Sequence, residues 1–308
     1  MLKGSVFISS ACFLWGLIFL VPLCLPEFNA FQIAFGRYFF FGIASLFFLN
    51  TKNLNIFKIS SSHIWLSAIL VALLSSFLHY SAAVGCMRYA DPTLSALILG
   101  LSPVCMMLLS KKQLSPFSWQ QTLFSALLIV CSLPLLHYSL IQSQHFKMAY
   151  YPLGLMCGVF ALATWVAFLM INGYYLNKYS EMKSLEWTSM VGFSSLLLSI
   201  LAFICIPKHF LGYQCLLSSK FLLGSCVLGV GSSWLASYFW NRGTTLVPLS
   251  IASPMIILET VFGIIFVHLF EKRFPQKMEL MGILLVISTI YFNLRACQKK
   301  THPLTFTD

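Results

Sequence analysis

A chain of 308 residues that is 59% hydrophobic and only 9% charged cannot present its surface to water, because soluble domains carry roughly a quarter charged residues. In lipid only helices and closed barrels satisfy their own backbone, and the apolar runs here far exceed the roughly ten-residue alternating strands of a barrel. The net charge of +11 does not mark a nucleic-acid partner: the nineteen Lys and Arg are scattered in twos and threes between apolar runs, where such charges orient membrane helices.

Windows of about twenty apolar residues predict helices in chain order. The first, near 4–23, follows Lys3 and lacks a small-residue cleavage signal before Pro22, so it is a helix rather than a leader. The second, 30–49, carries Arg37, the only Lys or Arg deep in a predicted span. After the polar loop Thr51–Ser62 comes 64–86, with Ser75, His79 and Tyr80. Then follow 92–110 with Pro103, the short connection Lys111–Pro116, and 117–137. The second half begins with 152–175, which carries Gly154, Gly158 and Trp165. It continues with 185–206, 219–241 with Gly224, Gly229, Trp234, Tyr238 and Asn241, 246–269 with Pro254 and Glu259, and 278–295. Connections are short, so sequential helices are antiparallel neighbours, and no loop can hold a soluble domain. Small glycines permit close helix approach, and Pro103 and Pro254 break backbone hydrogen bonds, which makes their helices candidate moving elements.

With the amino terminus inside, eleven loop Lys and Arg fall inside, seven fall outside, and Arg37 completes the set. The bias predicts both termini on the cytoplasmic side, in keeping with an even number of spans. The chain also repeats. Gly4 and Trp15 recur as Gly154 and Trp165; Leu101-Ser102-Pro103-Val104 is echoed by Leu258-Glu259-Thr260-Val261; and Ala126 through Ser132 returns as Gly282 through Ser288. The offsets stay between 150 and 157 and the order is kept. A five-helix unit is odd-numbered, so its second copy inserts upside down, the architecture in which secondary transporters hold substrate near the midplane. The expected fold is all-α integral membrane, ten transmembrane helices as two inverted five-helix repeats, 1–148 and 149–297, with a cytoplasmic tail 298–308.

Leu14-Trp15-Gly16, Gly36-Arg37-Tyr38, Arg88-Tyr89-Ala90-Asp91-Pro92 and Ala96 to Leu101-Ser102-Pro103 together resemble the EamA-type branch of the drug/metabolite transporter superfamily. In the second half the resemblance is carried by Tyr238-Phe239-Trp240-Asn241-Arg242, Leu258-Glu259 and Glu271-Lys272-Arg273. It runs from about residue 4 to 295, through order and spacing rather than one motif. It implies ten helices in two inverted repeats and transport of small metabolites such as amino acids. The chain departs from the family pattern at Ser110-Lys111-Lys112, where Gly-Glu-Arg is usual, and at Thr260, where many members have Pro. Both touch a connection or a kink rather than the fold.

Ionisable groups inside a span are costly, so each needs a reason. Glu259 is the only carboxylate well inside a predicted span; it is either a proton-coupling or substrate-ammonium site, or a structural carboxylate that pairs within the bundle, with Arg37 as one partner. Arg37 is a structural ion-pair candidate and alternatively binds an anionic substrate group. His79, with Tyr80 beside it, either lines the pathway or makes an interhelical hydrogen bond. Trp234, Tyr238 and Asn241 stand at i, i+4 and i+7 on one predicted face, and the resemblance places Trp15 and Trp165 at the central cavity. These aromatics either line a site for zwitterionic, aromatic or amphiphilic metabolites or supply packing bulk and an interfacial belt.

The function expected is a secondary transporter that moves an amino acid or related zwitterionic or aromatic compound across the cytoplasmic membrane by alternating access. A proton-driven exporter of organic cations is the alternative, although neither window holding Trp15 or Trp165 has a carboxylate. A non-transporting receptor or scaffold is a third. The seven His form no H-x-x-x-H, there is no G-x-x-x-x-G-K-[ST], and the ten Cys are dispersed without C-x-x-C. The sequence therefore predicts no enzyme, no ATP site, no metal and no cofactor. The expected partners are a small-molecule substrate, the lipid bilayer and protons as a coupling ion, with no nucleic acid, in a monomer or homodimer.

Overall fold

The structure is a computed structural model. It describes residues 2–51, 61–90, 95, 98–110, 118–136, 138, 150–205, 216–247, 249–272 and 274–301. The predicted boundary at 148/149, most of the loop Thr51–Ser62, the connection 111–117 and residues 302–308 of the tail lie outside the described residues.

Among the described residues the elements are helical throughout. α1 is Leu2–Cys24 and α2 is Ala30–Thr51. α3 runs as Ser62–Ala72, a π-helical stretch Leu73–Leu78, and His79–Tyr89. α4 is Ser102–Ser110, α5 Trp119–Leu136, α6 Tyr151–Lys178 and α7 Ser184–Cys205. α8 runs as Ser219–Cys226, a π-helical stretch Val227–Leu235, and Ala236–Thr244. α9 has two pieces, Leu249–Met255 and Leu258–Glu271, and α10 is Lys277–Thr301. Eight segments among the described residues are long and apolar enough to cross a membrane, so the protein is a multi-pass membrane protein.

The helices are apolar on most sides, so their outer faces expose Phe47, Leu66, Leu127, Met156, Leu223 and Leu284 to the surroundings. The polar side chains go inward: Ser45, Ser76, Thr122, Ser125, Asn172, Thr188, Ser195, Ser233 and Asn241 are buried. Water offers no such distribution; lipid does, because small polar residues let helices approach and hydrogen-bond across the interface. Most buried hydroxyls are satisfied locally. Ser45, Thr188 and Ser194 each donate to the carbonyl four residues back, at 2.8, 2.7 and 2.9 Å.

The contacts pair helices across the two halves of the chain. α2 packs on α7, α5 on α10, and α4 on the first piece of α9. α1 lies against the last part of α8, and α6 against the last part of α3. Gly4 and Gly154 explain how the latter two pairs get so close. A Cβ on Gly4 meets Val247 Cγ1 at 2.8 Å beyond the end of α8, and one on Gly154 meets Ala90 N at 2.5 Å at the end of α3.

Pro254 ends the first piece of α9. Ile256 N donates to Ser253 O at 3.2 Å and Glu259 N to Ile256 O at 2.9 Å, tight three-residue bonds that restart the helix at Leu258. A matching tight turn, Leu101 N to Ile98 O at 3.1 Å, precedes α4. The break in α9 frees carbonyls, and Cys12 of α1 donates its thiol to one of them, Met255 O, at 3.4 Å. At the far end, Lys272 closes α9 in the left-handed conformation with φ 55°.

Candidate functional site

Because α1, α2 and α3 face α6, α7 and α8 without filling the space between them, a small cavity opens there. Its aromatic wall is built by one Trp from each of three helices. The Trp15 ring meets Trp165 edge-on, with centroids 5.8 Å apart at 70°, and meets Trp240 at 5.4 Å. Phe168 extends the wall, 5.0 Å from Trp165.

The opposite side is polar, and most of it is wired into a chain of hydrogen bonds within α6, α7 and α8. Trp187 Nε1 donates to Asn172 Oδ1 at 2.8 Å; Asn172 Nδ2 donates to Asn241 Oδ1 at 2.7 Å; Asn241 Nδ2 donates to Thr188 Oγ1 at 2.8 Å. Thr188 Oγ1 in turn donates to Ser184 O at 2.7 Å. Asn172, Thr188 and Asn241 all line the cavity, so this wall is stiff and presents amide and hydroxyl edges rather than charge.

Both π-helical stretches reach the cavity. A π turn is a local widening that shifts side-chain phase and occurs often at functional sites. Here one delivers Ser75 and Ser76 and the other delivers Ser233. Ser76 Oγ lies 2.9 Å from Ser195 Oγ of α7, and Ser233 Oγ accepts from Arg37 Nε of α2 at 2.7 Å. Arg37 lines the cavity, and its guanidinium carbon stands 5.4 Å from the Tyr38 ring centroid.

Of the residues singled out from sequence, the structure brings Trp15, Trp165, Asn241 and Arg37 to this cavity. His79 stands behind the wall. Its Nδ1 is 3.0 Å from Ala161 O and its ring packs 4.7 Å from Trp165, so it braces that Trp from outside. Tyr80 meets Tyr38 edge-on at 6.2 Å. Trp234 is turned toward α2 and α7: it stacks on Phe48 at 4.0 Å and 9°, and its Nε1 donates to Ser189 Oγ at 3.3 Å. Tyr238 stacks beside it at 6.0 Å. The face of α8 that lines the cavity runs through Ser233, Ser237, Trp240 and Asn241, one position back from the predicted Trp234–Tyr238–Asn241 face. Both sets keep the i, i+4, i+7 spacing, so the helix is turned by about one residue from the expected face.

Glu259 occupies the first turn of the second piece of α9, where the helix dipole favours a carboxylate. It does not line the cavity, and among the described residues no side chain hydrogen-bonds or ion-pairs with it; Arg37 bonds Ser233 instead. The buried ionic contact that is present lies elsewhere. His268 Nε2 and Glu279 Oε2 are 2.9 Å apart, with His268 Nδ1 2.8 Å from Ile264 O and Gln276 N donating to the same Glu279 oxygen at 2.7 Å. Each ring nitrogen faces an oxygen, and the contact ties α9 to α10.

Sequence reasoning passed over Asn172, Thr188, Trp187, Trp240 and Ser233. The one signal for Asn172, Thr188 and Ser233 is that short polar residues are costly in such apolar helices unless they find partners across them.

The chain can be set beside known proteins. A model of the EamA-like transporter family matches residues 2–137 and again residues 152–295. Inner membrane protein YtfF of Escherichia coli K12 is 23% identical over 321 aligned residues, covering 99% of this chain and 98% of that protein. An uncharacterized transporter of Haemophilus influenzae is 39% identical over 54 residues, 18% of this chain and 32% of that protein. A solved crystal structure superposes with a TM-score of 0.80 at 14% identity, covering 97% of this chain and 99% of its own, a likeness of fold. With two matches that together span most of its length, the chain belongs to the EamA-like transporter family.

Proposed function

We propose that this protein is a secondary transporter that carries a small metabolite through the cavity between its two halves by alternating access, in a cell (inner) membrane with both termini cytoplasmic. The observation that carries the reading is that equivalent elements of the two halves line one cavity: Trp15 and Trp165 meet in its aromatic wall, and the π-helical stretches of α3 and α8 both reach it. The pairings α1 with α8 and α3 with α6 exchange under the same equivalence, as do the tight turns before α4 and within α9. The two stretches matched by the family support the same reading, ten helices as inverted repeats. Broken helices beside a midplane site and one half rocking on the other are what such repeats supply.

The aromatic wall offers ring faces and the Asn172–Asn241–Thr188 wall offers hydrogen-bonding edges, a pairing that suits an amino acid or related zwitterionic or aromatic compound. The family match supports transport rather than catalysis as the reading. The test is counterflow in proteoliposomes, with purified protein and labelled amino acids, nucleosides, nucleotide sugars and organic cations. Accumulation of one class above empty vesicles is the expected outcome. A folded protein that moves nothing on the panel counts against transport.

A further inference from the structure

Resting on that transport reading, we infer that the substrate carries a carboxylate and that Arg37 binds it, with Ser233 holding the guanidinium in place. Among the described residues Arg37 is the only charged side chain that lines the cavity. Its Nε is committed to Ser233 Oγ at 2.7 Å, and among the described residues no carboxylate pairs with the rest of the guanidinium. The fork of remaining N–H groups is therefore available on the cavity side. A planar guanidinium matches a carboxylate with two parallel hydrogen bonds, which no other side chain lining the cavity can do.

The repeat strengthens the point. Ser76 bonds Ser195 across α3 and α7, as Ser233 bonds Arg37 across α8 and α2. The two bonds occupy corresponding places in the halves, so a serine stands in the second half where the first has an arginine. A serine satisfies the same bond without a buried charge. A cation in a membrane-embedded cavity with no carboxylate at contact distance is costly and is kept where an anion visits it. An arginine that only held helices together would turn its fork to a helix end or a carboxylate, and this one does neither.

The rest of the cavity fits the remainder of such a molecule. Trp15, Trp165 and Trp240 offer faces to an apolar side chain or to an ammonium group, and the amide edges of Asn172 and Asn241 offer hydrogen bonds. Zwitterions and simple organic acids both satisfy this arrangement, whereas an organic cation without an acid group does not.

The test compares matched compounds that differ only in the acid group. Wild-type protein in proteoliposomes is assayed by counterflow with phenylalanine, phenylalaninamide, phenethylamine and 3-phenylpropionate, with the leucine series alongside, together with nucleosides and quaternary ammonium ions. Tryptophan fluorescence in detergent, read mainly through the three Trp of the wall, reports binding of the same compounds. The expected result is that compounds with a carboxylate accumulate and quench, while their amides and amines are weaker by about 10- to 100-fold, the worth of a charge-assisted bond. Arg37→Gln then removes the preference, Arg37→Lys restores part of it, and Ser233→Ala weakens it without abolishing binding. Where Arg37→Gln does not fold, the wild-type matched sets and Ser233→Ala still decide. Accumulation of an amine or nucleoside as good as any acid overturns the proposal and leaves transport standing. Accumulation of nothing overturns the transport reading and this proposal with it.

Discussion

Asn172→Ala removes the centre of the hydrogen-bonded wall, and its effect can be worked from the structure. Asn172 accepts from Trp187 and donates to Asn241; Trp187, Asn172 and Asn241 are 1%, 2% and 3% exposed, so water cannot replace the lost partner. The substitution orphans one N–H donor and one amide oxygen. On the soluble-protein scale of about 1–3 kcal/mol for each orphaned group, the loss is about 2–6 kcal/mol. Interhelical bonds in membranes average only about 0.6 kcal/mol, because the unfolded helices find other partners. The expectation is therefore about 2–4 kcal/mol, measured by reversible unfolding in mixed micelles. Asn241→Ala cuts the same chain from the other side. In the double variant the Asn241 oxygen is no longer there to be orphaned, so the two losses add to less than their sum by about 1 kcal/mol or more. Strict additivity, or a single-variant loss under about 0.5 kcal/mol, refutes the claim that these side chains form one structural unit.

Other expectations follow from particular residues. Glu259→Gln keeps the size of a side chain that has no hydrogen-bonding partner among the described residues, so the variant should fold as the wild type. If Glu259 carries the coupling proton, it should lose pH-driven accumulation while keeping substrate exchange, read in the same vesicles with and without a pH step. Glu279→Gln removes the ionic partner of buried His268 and should cost about 3–5 kcal/mol, a loss visible as earlier thermal aggregation in detergent. Lys272→Gly relieves a left-handed backbone that costs a side chain about 1–2 kcal/mol, so the melting midpoint should rise by a degree or more rather than fall. Trp165→Ala leaves a hole between Trp15, Phe168 and His79, with about 3–5 kcal/mol of stability lost by the same unfolding measurement.

The membrane-spanning helices were legible because lipid leaves little choice and long apolar windows become helices, but the breaks were not: residues 100–101 before α4 and 256–257 within α9 are turns inside windows that predict continuous helix. Gly4 and Gly154, which the sequence pairs by position, meet the ends of α8 and α3 in similarly close contacts. What the sequence hides is rotation. A helix that is apolar all round has no preferred face to read, so nothing in the spacing of Trp234 tells that it faces Phe48 rather than the cavity. The charge of Arg37 drew attention to a partner acid, Glu259, but pairing depends on which helices abut, and α2 meets α8 rather than α9 at that depth. Glu279 lies in the first turn of α10, and only the fold shows His268 over it.

The claim that substrate crosses through this cavity has one most direct test. Ser237 lines the cavity from α8 and has space in front of it, so Ser237→Trp should plug the path while leaving the Asn172–Asn241 wall in place. Counterflow of the best panel substrate, measured on protein that elutes as a single folded species with wild-type unfolding behaviour, is predicted to drop to the level of empty vesicles. The milder Ser237→Ala should transport as the wild type does. If the Ser237→Trp protein still accumulates substrate at the wild-type rate, the path lies elsewhere and the account of this cavity is wrong.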